Sequence, residues 1–289
     1  MPNTSVSVVI PTYNSSGTLK LTLQSVLWQD FKDFEIWVIG DGCTADSEKV
    51  VTGFHHDRLH WLNLRTNSGG PGVPRREGIS RATGSYVAYI GHDDLWFPWH
   101  LTKLVDCMER TDSEFVYSLG AIIAPKRIIR TFSLPQEPWS PLETVSPINW
   151  LHRKELLPTK VSWPTDLKYG DDREFLRRLL GAEVKLAFSK QLSVLKFPAQ
   201  SWQTYSLRKN FPQERYVQEM SADAVKLRNE LLLEFAATES VAQTKLSGLY
   251  RTFIEQAAFA LLQGYGFQRW PVNHFLYRRY RKRAGLISP

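Results

Sequence analysis

Five acidic side chains stand where this chain could do chemistry: Asp41 between two glycines, the pair Asp93-Asp94, and the pair Asp171-Asp172. A polar run, Thr12-Tyr13-Asn14, accompanies them near the N-terminus. Carboxylate oxygens suit hard cations such as Mg²⁺ or Mn²⁺. A carboxylate held beside a hydroxyl can also take its proton. Each acid has a plainer use as well. Asp41 before Gly42 can close a turn, Asp93 and Asp94 can cap a helix that starts near Pro98, and Asp171 and Asp172 can be helix N-terminal charges. Which use applies depends on the elements that carry them.

Ser5–Thr12 holds four β-branched apolar residues in five positions and stops at proline, the pattern of a buried strand. Tyr13–Gly17 is a turn, with Ser16 or Thr18 as helix cap, and Leu19, Leu23, Val26 and Leu27 follow at helical spacing. Further strands are expected over Phe34–Ile39, Leu59–Leu64 and Tyr86–Ile90. Helices are expected over Ala45–Phe54, Pro74–Ala82 and Pro98–Arg110, with a Gly-rich loop at Asn67–Val73. Alternating strands and helices make a mostly parallel sheet covered on both faces. Ligands of such sheets bind beyond the carboxyl ends of the strands. Thr12-Tyr13-Asn14, Asp41 and Asp93-Asp94 all fall there, so the pattern alone points to a ligand site.

After residue 110 the pattern is mixed. Phe115–Ile123 and Val184–Phe188 read as strands, Pro135–Pro147 as a loop with four prolines, and Asp171–Leu180 as a helix closed by Gly181. From Gln213 the character changes, with amphipathic helices over Gln213–Ala237 and Ser240–Leu262. A boundary near residue 205 divides residues 1–205 from a helical extension, 206–289. Within the first part, residues 1–110 and 111–205 form two halves.

Several segments resemble, in order, those of the inverting family 2 glycosyltransferases. They are Val6–Asn14, Leu23-Gln24-Ser25-Val26-Leu27-Trp28-Gln29, Asp41–Asp46, Asn67-Ser68-Gly69-Gly70, Arg75–Tyr86, Asp93-Asp94-Leu95-Trp96-Phe97-Pro98 and Gly170-Asp171-Asp172. Each is weak alone; their order over residues 5–200 carries the resemblance. It implies a GT-A-type, Rossmann-like fold, with 1–110 as nucleotide-sugar-binding half and 111–205 as acceptor half, and transfer from a nucleotide diphosphate sugar, UDP-sugar by default, to a saccharide or lipid-linked acceptor. It implies Mn²⁺ or Mg²⁺ at Asp93 to offset charge on the leaving diphosphate. It makes Asp41 a partner of the base and puts Pro11, Thr12, Tyr13, Asn14, Asn67, Arg75 and His92 around the nucleotide. It makes Asp172 the base, with Asp171 where glutamate is usual in the family; direct attack would invert the anomeric centre.

Two departures stand out. The family's Asp-Asp-Gly is Gly40-Asp41-Gly42 here, and its Asp-x-Asp-Asp is Gly91-His92-Asp93-Asp94. The loss near the metal weakens cation affinity, or His92 supplies a nitrogen in its place. Arg76 replaces the asparagine usual in its loop. A non-catalytic nucleotide-sugar-binding or scaffold protein of a glycan assembly complex is the rival reading, supported by the missing carboxylates. A nucleotidyltransferase fits less well, because Pro11-Thr12-Tyr13-Asn14 stands where its Gly-rich phosphate loop would be.

Bulk composition sets the remaining limits. Apolar residues make up 43 % and charged residues 22 %, ordinary for a globular protein. No apolar run reaches the roughly 18–20 residues of a spanning helix and no signal peptide is visible, so a cytoplasmic protein is expected. Two cysteines, Cys43 and Cys107, read as free thiols. The net charge of +7 comes mostly from the C-terminal tail, where Arg269, Arg278, Arg279, Arg281, Lys282 and Arg283 meet no acid. With Trp270, Phe275, Tyr277 and Tyr280 they suggest a peripheral membrane contact, or a basic helix packed on its own domain or a partner subunit. No recognised nucleic-acid module accompanies the charge, so no nucleic acid is expected. The helices after residue 213 either pair between chains or cover the acceptor side.

Overall fold

The computed structural model describes residues 5–243, apart from 45, 126, 133–145, 160, 168–169, 183 and 203–210. Strand β1 (Val6–Thr12) is buried along its whole length. It lies between β2 (Phe34–Gly40) and β4 (Tyr86–Tyr89), parallel to both, and β3 (Leu59–Asn63) extends the parallel set beyond β2. The β-branched run explains the placement, since a central parallel strand must be apolar on both faces. Val6, Val8 and Ile10 point to one face and Val9 to the other.

Helix α1 (Ser16–Leu27) and α4 (His100–Thr111) cover the first face through Leu19, Leu23, Val26, Leu101, Leu104 and Met108. The short α2 (Ser47–Thr52) adds Val51. Helix α3 (Gly72–Arg81) lies on the second face so closely that a Cβ at Gly78 would come within 2.4 Å of Val9 Cγ1.

Beyond β4 the sheet changes character. Strand β8 (Trp150–Arg153) runs antiparallel to β4 and to β6 (Phe115–Ala124), and β6 pairs in parallel with β9 (Leu186–Lys196). Strand β5 (Leu95–Trp96) closes the β9 edge, and β7 (Arg127–Phe132) pairs with β6. The expected parallel sheet therefore holds from β3 to β4, and the half beyond β4 is mixed. Two one-turn helices, α5 (Leu156–Thr159) and α7 (Ala199–Trp202), and α6 (Asp171–Gly181) complete this half. Phe175, Leu176 and Leu179 of α6 pack with Trp150 and Trp163 on the second face.

Helix α8 spans Gln213–Gln243, continuing past Ala237 where a break was expected. It is interrupted instead at Asp223, whose φ of −160° and ψ of 93° are non-helical. The Asp223 side chain accepts from Lys226 N at 2.8 Å, capping the second segment as an N-cap aspartate does. Val217, Met220, Leu227 and Leu231 seal the end of the sheet against Leu95, Phe97, Leu119 and Leu195. Among the described residues no helix is long and apolar enough to cross a membrane. Both cysteines are free.

The buried strand β8 carries a polar group that matters for pH. His152 is fully buried, with Nε2 2.7 Å from the Tyr89 hydroxyl and Nδ1 2.9 Å from the Arg153 carbonyl. Burial pushes its pKa down to about 4, from an ordinary 6.5. Between those values the unfolded chain binds a proton that the folded chain refuses, so stability falls as pH drops from 6.5 towards 4, by about 3 kcal/mol for this group. His100, buried and lowered to about 3, acts in the same direction. Thermal melts from pH 7.5 to 4.5 should show this loss, and His152→Gln should flatten the profile. An unchanged slope in that variant would remove the assignment.

Candidate functional site

The carboxyl ends of β1, β2 and β4 bring three expected residues to one edge: Thr12, Asp41 and the loop that carries Asp93. Asp41 N donates to the Thr12 carbonyl at 2.8 Å, tying the first two together. Thr12 is 2 % exposed, and its hydroxyl has no hydrogen-bond partner among the described residues. Tyr13 is 43 % exposed at the rim.

The turn after β2 is built around Gly42, whose φ is +69° and where a Cβ would fall 2.5 Å from Asn67 N. Asn14, itself at φ 46°, accepts from Thr44 N at 2.9 Å. Asn63 braces Cys43 by two 2.8 Å bonds. The Asp41 carboxylate is buried and accepts from Ser68 N at 3.0 Å. Asn67 is engaged in shaping this loop, donating to the Asp41 carbonyl at 3.0 Å and accepting from Gly69 N at 2.9 Å.

After β4, the two adjacent acids have different surroundings. Asp94 is buried; its Oδ1 accepts from Phe197 N at 2.8 Å and its Oδ2 lies 3.9 Å from Lys196 Nζ. Asp93 offers its carboxylate, while its carbonyl is held by Gln213 Nε2 at 2.8 Å. Burial raises the pKa of both acids, and the Lys196 ammonium opposes that rise. His92 Nδ1 lies 3.3 Å from the Pro11 carbonyl, and burial pushes this imidazole down. A Cβ at Gly91 would stand 2.9 Å from Asp94 Oδ2 and 3.1 Å from Asp93 Oδ1, so the two carboxylates occupy the space that a side chain at this position would need.

No group of three or more His, Cys, Asp or Glu among the described residues is arranged to hold a metal. The donor chemistry still suits Mg²⁺ or Mn²⁺, because such ions are commonly held by one or two carboxylates with substrate phosphates completing the shell. Asp93, partly exposed next to the engaged Asp94, is a carboxylate of that kind.

The acids of α6 also diverge. Asp171 is 3 % exposed, and its Oδ2 takes a 2.6 Å ion pair from Arg75 and a 2.9 Å bond from Trp163 Nε1. Arg75 stacks on the Trp163 ring at 5.1 Å. The arginine grouped with the nucleotide from sequence is therefore bound to Asp171, which is held as an anchor. Asp172 keeps a partly exposed carboxylate, with Oδ1 accepting from Arg173 N at 2.9 Å. The two sites connect: the loop that holds Asp41 leads into α3, and α3 holds Asp171 beside Asp172. The tail residues Trp270, Arg278, Arg279, Arg281, Lys282 and Arg283 lie outside the described residues.

Sequence reasoning gave no role to Trp163, Phe197 or Gln213, and no decisive one to Lys196. They reach the site from as far as 120 residues away in the chain, a distance over which periodicity carries no signal.

The model of the family described as glycosyl transferase family 2 matches residues 7–158, more than half of the chain. The chain belongs to glycosyl transferase family 2. Family 2 relatives include the Escherichia coli UDP-Glc:alpha-D-GlcNAc-diphosphoundecaprenol beta-1,3-glucosyltransferase WfgD. That protein is 27 % identical over 132 residues, 46 % of this chain and 52 % of its own length. The Staphylococcus aureus poly(ribitol-phosphate) beta-N-acetylglucosaminyltransferase TarS is 37 % identical over 91 residues, covering 30 % of this chain and 16 % of the relative. The chain thus spans about half the length of the first and a smaller share of the second. The crystal structure of TarS 1–349 in complex with UDP-GlcNAc superposes with a TM-score of 0.59 at 23 % identity, over 71 % of this chain and 61 % of that one. The complex with UDP gives 0.59 at 22 %, over 94 % and 78 %. This family 2 chain thus has the GT-A-type fold, an α/β sheet flanked by helices.

Proposed function

We propose that the protein is an inverting glycosyltransferase that moves a sugar from a UDP-sugar to the hydroxyl of a saccharide or lipid-linked acceptor. The observation that carries this reading is the convergence of Thr12, Asp41 and Asp93 at the carboxyl ends of adjacent parallel strands. Similarity to TarS bound to UDP and UDP-GlcNAc supports the nucleotide. The WfgD name supports a lipid-linked acceptor.

Asp41 and Thr12 receive the base and ribose, and the diphosphate lies towards Asp93. Mn²⁺ or Mg²⁺ bound there would offset charge on the departing UDP. Asp172 takes the proton of the acceptor hydroxyl as it attacks the anomeric carbon, so that the C–O bond forms on the face opposite the leaving diphosphate.

Thermal-shift titrations of UDP, GDP, dTDP and CDP, with and without Mn²⁺, test the donor. A ligand that binds only the folded state stabilises it by about 2.7 kcal/mol at 100 times its Kd. UDP should raise the melting point, with Mn²⁺ enlarging the effect, and Asp93→Ala should abolish the Mn²⁺ part. No shift with any nucleotide would favour the scaffold reading. A shift indifferent to Mn²⁺ would remove the metal from the mechanism.

A further inference from the structure

We infer that Lys196, the last residue of β9, binds the donor diphosphate and supplies positive charge that a cation held by few carboxylates would otherwise supply. This rests on the donor reading above. Asp94 is committed to Phe197 N and to the lysine itself, which leaves Asp93 as the carboxylate best placed for a cation. A diphosphate approaching that edge would meet two acids and needs a compensating positive charge. Arg75 is turned to Asp171 by a 2.6 Å ion pair, and Arg76 reaches Thr165 at 3.3 Å, both from α3.

Lys196 fits the need. Its backbone is fixed by strand pairing with Ile122, and the next residue donates to Asp94, so the side chain starts at a defined place beside the two acids. Nζ lies 3.9 Å from Asp94 Oδ2, an attraction of charges too long to use up a hydrogen bond. Its hydrogen bond among the described residues goes to Ser146 Oγ at 3.2 Å. An ammonium has three donors, so Lys196 retains capacity for phosphate oxygens, and its side chain is 33 % exposed. The same oxygen of Asp94 packs within 2.9 Å of where a Cβ at Gly91 would stand, so the ammonium lies close to the position where the family's further carboxylate is replaced by glycine. The competing view is that Lys196 only neutralises Asp94.

Isothermal titration with UDP and with uridine separates the two. In EDTA, Lys196→Met should weaken UDP binding at least about tenfold, as expected for losing a charge-assisted contact, and leave uridine binding unchanged. Lys196→Arg should retain most of the UDP affinity. Equal UDP affinity in Lys196→Met and the native chain would overturn the role, as would a parallel loss for uridine, which would mark damage to the whole site. Failure of the native chain to bind UDP in EDTA and again with Mn²⁺ would remove the donor reading, whereas binding with Mn²⁺ alone would overturn only the role of Lys196. Melting curves of each variant establish that the fold is intact.

Discussion

Replacing Asp172 with asparagine should lower sugar transfer by about 10²–10⁴-fold, the range that a positioned general base contributes. UDP binding and the melting point should hardly move. The side chain is partly exposed at the start of α6, and its hydrogen bond to Arg173 N survives in an amide whose oxygen faces the same way. Its charge does interact with the N-terminal dipole, at a cost of about 0.3–1 kcal/mol when removed. The assay is UDP release with the donor chosen by the nucleotide titrations and a diphosphate-lipid-linked saccharide as acceptor. Full turnover in Asp172→Asn would assign the base elsewhere. A loss of UDP affinity matching the loss of rate would make Asp172 a donor-binding group.

Much of the donor half was legible because its signals are local. Val6–Thr12 is a β-branched run, and only a central strand of a two-faced sheet hides every one of those side chains. The acids at the strand ends follow from the same alternation, since strands β1, β2 and β4 run in parallel and therefore finish on one edge. Helix α3 was placed two residues late, because Gly72 and Val73 read as loop.

The acceptor half was less legible. Strand β8 is four residues long and ends in His-Arg, a polar pattern that does not read as central sheet. His152 is tolerated there because Tyr89, 63 residues earlier, supplies its partner. Strand β9 was foreseen only at its beginning, since its register shifts against β6 twice near Leu119 and hides the alternation. The expectation at Arg75 follows the same lesson. An arginine type can be read from sequence; its ion pair with Asp171, 96 residues on in the chain, cannot.

Asp171 should behave oppositely to its neighbour. Asp171→Ala removes the partner of a guanidinium whose side chain is 12 % exposed and whose Nε already lacks a bond. Breaking a buried pair from one side leaves an uncompensated charge and costs about 3–5 kcal/mol. In a chain of this size that is a fall in melting temperature of roughly 6–20 °C. Arg75→Met should cost less, since the remaining carboxylate keeps the Trp163 N–H and can be protonated. The double variant Arg75→Met/Asp171→Leu should recover much of the loss in Asp171→Ala, because no buried charge is left unpaired. Its transfer rate then separates two roles. If α6 is held in place by packing alone, the stable double variant transfers sugar normally. If the ion pair sets the position of Asp172 relative to the donor loop, kcat stays low after stability returns, while UDP binding remains native. Melting curves and UDP titrations on the same three variants decide it. A melting point unchanged in Asp171→Ala would show that the pair is not the anchor its 2.6 Å geometry indicates.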